Sequence, residues 1–193
     1  MANTMGLFSK GLKAALSLRT QIQVAPLRKS AAIADELMEM IRPIVVTLHE
    51  IAEPKLAIEV SEWSLENRTL MTFLGYLAGI VTTAEYARTK SNSQNGIPPR
   101  EIAFFRLVNI FFGELPNTKL WAKCSEVQVN QNTNPQQIDS LLGYSSDFRV
   151  AFESSSEFYG SLLSSSKDTG AGALLILRLE MLLREVSGDG PLS

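Results

Sequence analysis

The residues able to do chemistry in this chain are few and scattered. It holds one histidine, His49, and one cysteine, Cys124. A single imidazole rules out, within one chain, the His-rich zinc sets and the paired Glu-x-x-His di-iron motifs. His49 and Cys124 form a nucleophile–base pair only if the fold brings them together, and no local pattern surrounds either. A lone cysteine without such a pattern reads as a small buried hydrophobe. One cysteine also means no intramolecular disulfide, which suits a reducing compartment. Near His49 lie Glu50, Glu53, Glu59, Glu62 and Glu66. An acidic stripe at this spacing reads as the solvated face of an amphipathic helix rather than a cation site, and no EF-hand loop is present.

The remaining short matches lose their meaning in context. Ser164-Ser165-Ser166-Lys167 has the Ser-x-x-Lys letters without the accompanying penicillin-site motifs. Asp168-Thr169-Gly170 opens a leucine-rich helix, where a capping role is expected. Gly170-Ala171-Gly172 lacks the third glycine and the preceding strand of a dinucleotide fingerprint. Asn67-Arg68-Thr69 is a glycosylation triplet with no secretory context around it. There is no Gly-x-Ser-x-Gly elbow and no P-loop. The sequence therefore assigns no catalytic residue, no cofactor and no metal.

Apolar residues make up 45% of the 193 and charged residues 20%, a globular composition. The net charge of −2 argues against a dedicated nucleic-acid binder. That average conceals an asymmetry. Residues 1–34 carry Lys10, Lys13, Arg19, Arg28 and Lys29 and no acid, which leaves −7 for residues 35–193. A basic arm on an acidic body is expected to contact something acidic: a lipid headgroup, a nucleic acid or a neighbouring subunit.

Residues 5–24 have the pattern of an amphipathic helix. Leu7, Phe8, Leu12, Ala15, Leu16, Leu18 and Ile22 share one arc, with Lys10, Lys13, Ser17 and Gln21 opposite. Arg19 falls inside the apolar arc, so it must snorkel outward or meet an acid on a partner. Phe8, Lys10, Leu12, Lys13, Leu16, Arg19 and Ile22 are the candidate contact residues of this arm. Pro26 ends it.

Behind the arm, residues 28–50 repeat Ile33, Leu37, Met40, Ile41, Ile44 and Leu48 at helical spacing, and Pro43 is expected to kink or break that helix. A helical stretch over 55–89 divides near Asn67. The segment 91–99, with Asn-Gly and two prolines, is a loop and a candidate hinge. Pro99 starts a helix that Gly113 ends, apolar nearly all round and so expected to be buried on several sides. Residues 118–130 read as a short helix, with a strand as the alternative because Ser125 to Asn130 alternate weakly. Asn134, Pro135 and Gln137 supply a cap, a first-turn proline and a capping-box partner for the next helix. That helix carries Ile138, Leu141, Phe148, Phe152, Phe158 and Leu162, with an interruption expected around Gly143 to Ser146. A last helix spans 170–186. The fold class is all-α: an irregular bundle of about six to eight helices. Its parts are an arm at 1–26, one helical domain at 27–187 and a tail at 188–193.

One uncharged run, residues 69–84, raises the question of a membrane span. At about 1.5 Å per residue it is roughly 24 Å long, short of the ~30 Å hydrocarbon core. It reads as a buried helix, with Gly75 and Gly79 letting another helix approach closely. No transmembrane span is expected.

These observations lead to a non-enzymatic helical assembly or adaptor subunit, self-associating or docking on a protein partner through its arm and apolar helices. Two alternatives use the same arm: a peripheral membrane protein, with Lys10 and Lys13 at the headgroups, or an assembly protein that touches nucleic acid. An enzyme whose small-ligand site is assembled from distant residues is a further alternative. The expected location is cytoplasmic, or mitochondrial if residues 1–34 act as a transit segment.

Overall fold

The computed structural model describes residues 28–48, 66–89, 97–113, 122, 137–164 and 171–187. Among them every regular element is an α-helix, and the chain is an all-α bundle. The helices are α1 (28–48), α2 (Arg68–Thr89), α3 (Pro99–Phe112), α4 (Gln137–Tyr144), α5 (Ser146–Ser164) and α6 (Ala171–Ser187). The arm, His49, Cys124, the 91–96 part of the proline loop and most of 118–130 lie outside the described residues, as do Asn134 and Pro135.

Helix α2 is the centre. Every residue from Leu70 to Val81 is buried, as expected of a helix apolar on all sides. Its largest contact is with α5, and α3 and α6 pack beside it. No helix among the described residues is long and apolar enough to cross a membrane. The uncharged run is the interior of the bundle.

The start of α2 is set by Asn67, whose side-chain oxygen accepts the Leu70 amide at 3.0 Å, an N-cap bond. Pro99 stands at the first position of α3, and Gly113 ends it at φ 85°, a left-handed geometry that glycine tolerates. One continuous core draws on all six helices. Around Phe73 the rings of Phe111 and Phe112 stand edge-on at 5.1 and 5.8 Å, a favoured aromatic geometry. Helix α1 is tied on by Glu36 to Arg88 of α2 and by Asp35 to Arg106 of α3.

Two sequence expectations, at Pro43 and at Gln137, change. The α1 helix runs unbroken through Pro43, which lies on its exposed side. There the missing donor leaves one carbonyl to water instead of to the core. The break between α4 and α5 falls at Ser145, within the expected interruption. Gly143 is helical, while the Ser145 hydroxyl oxygen accepts the Phe148 amide at 3.2 Å and caps α5. Helix α3 buries a broad arc through Pro99, Glu101, Ala103, Phe104, Leu107 and Val108, while Phe105 and Ile110 are exposed. Gln137 is not a capping partner. Its side chain is fully buried and its amide atoms have no hydrogen bond.

Candidate functional site

Gly75 and Gly79 sit where α2 crosses α5. A Cβ built on Gly75 would fall on the backbone of Phe148, with the carbonyl carbon at 2.8 Å and Cα at 2.9 Å. One on Gly79 would lie 2.5 Å from the Phe152 carbonyl oxygen. The two glycines are four residues apart and share one face. They let two backbones approach to a distance no side chain permits. The approach is stitched by hydrogen bonds from the Ser156 hydroxyl to the Gly79 carbonyl (3.3 Å) and from the Thr83 hydroxyl to the Ser156 carbonyl (3.4 Å). These glycines position the site and are not themselves exposed to a ligand.

With α5 seated on α2, α6 packs alongside both. Tyr76 of α2 donates its hydroxyl to the Leu175 carbonyl at 2.5 Å, and Arg178 donates to the Ser154 hydroxyl at 2.9 Å. Leu175, Ile176, Leu179 and Leu182 turn inward. The opposite side of α6 is also apolar: Leu174, Leu177 and Met181 are 47, 55 and 52% exposed. Their spacing of three and four puts them in one stripe. Val150 of α5 is 58% exposed.

A recess of about 180 Å³ lies between the first turns of α2 and α5 and the last turn of α6. Its apolar wall is Val150, Ala151, Leu182 and Val186, and its polar side is Arg68, Thr72, Ser146, Asp147 and Glu185. Arg68 grips Asp147 with two hydrogen bonds of 3.1 Å. The Thr72 hydroxyl is buried without a partner. Small-molecule and cofactor pockets are usually larger, about 300 Å³ and upward. This one has the size of a single long side chain.

A second polar cluster is internal. Glu101, in the first turn of α3, is 2% exposed. Its carboxylate accepts the amides of Gln137 at 2.9 Å and Ile138 at 3.3 Å, and so caps α4 from another helix. Arg100 beside it pairs with Glu85 at 3.1 Å and reaches Asp139 at 4.0 Å. Burial, and then the neighbouring Asp139, push the Glu101 carboxyl up to about 7, against the opposing pull of Arg100 and the two amides. The cluster joins α2, α3 and α4. It has an acid with a raised pKa but no nucleophile hydrogen-bonded to it among the described residues, so it holds helices together. In the sequence Glu101 looks like an ordinary first-turn acid, and only the two prolines before it hint at a fixed position.

No group of three or more His, Cys, Asp or Glu side chains among the described residues is placed to hold a metal ion. Basic and aromatic residues mix in sequence at Phe104–Arg106 and at Phe148, Arg149 and Phe152, but Phe104 and Phe148 are fully buried and Arg106 is paired with Asp35, which does not make a stacking platform. Comparison with protein-family models, curated proteins and solved structures finds no match for this chain.

Proposed function

We propose that this chain is a non-enzymatic helical subunit that assembles with copies of itself or with protein partners through its N-terminal arm and its apolar helices. The observation that supports this reading is the outer stripe of α6. Leu174, Leu177 and Met181 stand half-exposed on a helix whose other face is already in the core. A helix apolar on both faces gains by covering the second one, at roughly 25 cal/mol per Å² of apolar surface removed from water. The sequence of the arm adds a second amphipathic pattern, of the kind that docks on another surface.

The test is the mass of the full chain in solution, by light scattering over a range of concentrations. The wild type is expected above the 21.2 kDa of one chain. Leu177→Glu, placed at an exposed position, is expected to return it to one chain without loss of helicity. A wild type that stays at 21.2 kDa at every concentration and in every salt removes self-assembly.

A further inference from the structure

The α6 stripe runs into the recess, and two groups there lack partners. The Thr72 hydroxyl is buried and unbonded, and Glu185 on the exposed side makes no hydrogen bond or ion pair among the described residues. Asp147 is already occupied by Arg68, so Glu185 leaves the recess one net negative charge. A side-chain-sized hollow with apolar walls and a spare carboxylate suits a cation on an apolar stem.

The chain itself carries such a group. Arg19 interrupts the apolar arc of the arm and needs an acid wherever that arc is buried. Leu12, Leu16 and Arg19 span seven residues of helix and Leu177, Met181 and Glu185 span eight, about 11 Å against 12 Å at a rise of 1.5 Å per residue. Resting on the assembly reading above, the geometry points to one occupant. The basic segment 7–22 of a second copy of this chain lies along the α6 stripe and places Arg19 in the recess beside Glu185.

The same contact made within one chain is an outcome of the test, because mixing two charge-reversed variants rescues only a contact made between chains.

The experiment uses full-length chains carrying Arg19→Glu or Glu185→Arg, Glu185 being exposed, with association measured by sedimentation equilibrium. Each variant alone is expected to associate about fivefold or more weakly than the wild type, because every arm then meets a like charge. An equimolar mixture of the two is expected to recover wild-type association, since each arm in a mixed pair meets the opposite charge. Single variants that associate like the wild type, or a mixture no tighter than its components, overturn the arm's placement. If Leu177→Glu still dissolves the assembly in that case, the assembly reading stands without this contact. A wild type that never associates removes both.

Discussion

Replacing Gly75 by alanine sets two opposing effects against each other. In an exposed helix the change gains about 1 kcal/mol, because alanine loses less backbone freedom. Here the new Cβ would meet the Phe148 carbonyl carbon at 2.8 Å and Cα at 2.9 Å. Both are backbone atoms, so no rotamer change relieves the overlap. Helices α2 and α5 would have to separate, along the largest helix contact in the bundle. Overpacking a close-packed interior costs about 1–3 kcal/mol, and the separation also loosens dispersion contacts among Phe148, Tyr76 and their neighbours. The net expectation is a loss of about 1–3 kcal/mol, or roughly 2–10 °C in Tm for a chain this size. Gly79→Ala meets the Phe152 carbonyl oxygen at 2.5 Å and should fall in the same range. Two internal controls share the chemistry without the overlap. At Gly160 of α5 the nearest atom is Thr83 Cγ2 at 3.7 Å, an ordinary contact, and at Gly143 nothing lies within 4 Å. Both alanine variants should be neutral or more stable by up to about 1 kcal/mol. Urea and thermal unfolding followed by far-UV circular dichroism measure all four. Gly75→Ala matching the stabilisation of Gly160→Ala would refute the close crossing of α2 on α5.

The buried Glu101 predicts a pH signature. Its folded-state pKa is raised from 4.5 to about 7, so the stability it contributes is present below about pH 4.5 and is lost as pH rises through 7. The full shift corresponds to about 3 kcal/mol, and Glu101→Gln should flatten the decline between pH 5 and 8. Parallel wild-type and variant urea titrations across that range would sink the assignment. Arg100 and Arg42 form a contrasting pair. The Arg100–Glu85 bridge has side chains only 22% and 11% exposed, while those of Arg42–Glu39 are 67% and 65% exposed. Arg100→Ala should cost about 1.5–3 kcal/mol by removing a charged hydrogen bond from a largely buried carboxylate, which keeps the residue-100 amide at 3.4 Å, and Arg42→Ala no more than about 0.5 kcal/mol. Equal losses in chemical denaturation would contradict that ranking.

Local sequence determined the helical character and most of the helix ends. Asn67, Pro99 and Gly113 act through bonds and dihedrals within a few residues of themselves, so their roles are readable without a fold. Spacing alone also set Gly75 and Gly79 on one face. Only the tertiary structure named α5 as what they meet, because that partner is more than 65 residues away in the chain. Leucines, isoleucine and methionine surround α6 so completely that no period reveals which ones turn inward. Packing against α2 and α5 decided that Leu175, Leu179 and Leu182 are core and that Leu174, Leu177 and Met181 are not. The burial of Glu101 was equally invisible. Its amide partners lie 36 and 37 residues on, and a carboxylate's solvent exposure depends on what folds over it. The recess likewise exists only where three distant helix ends meet. Dihedral preference and hydrophobic period act over single turns and are written in sequence. Desolvation, and the meeting of helix ends far apart in the chain, are properties of the assembled bundle.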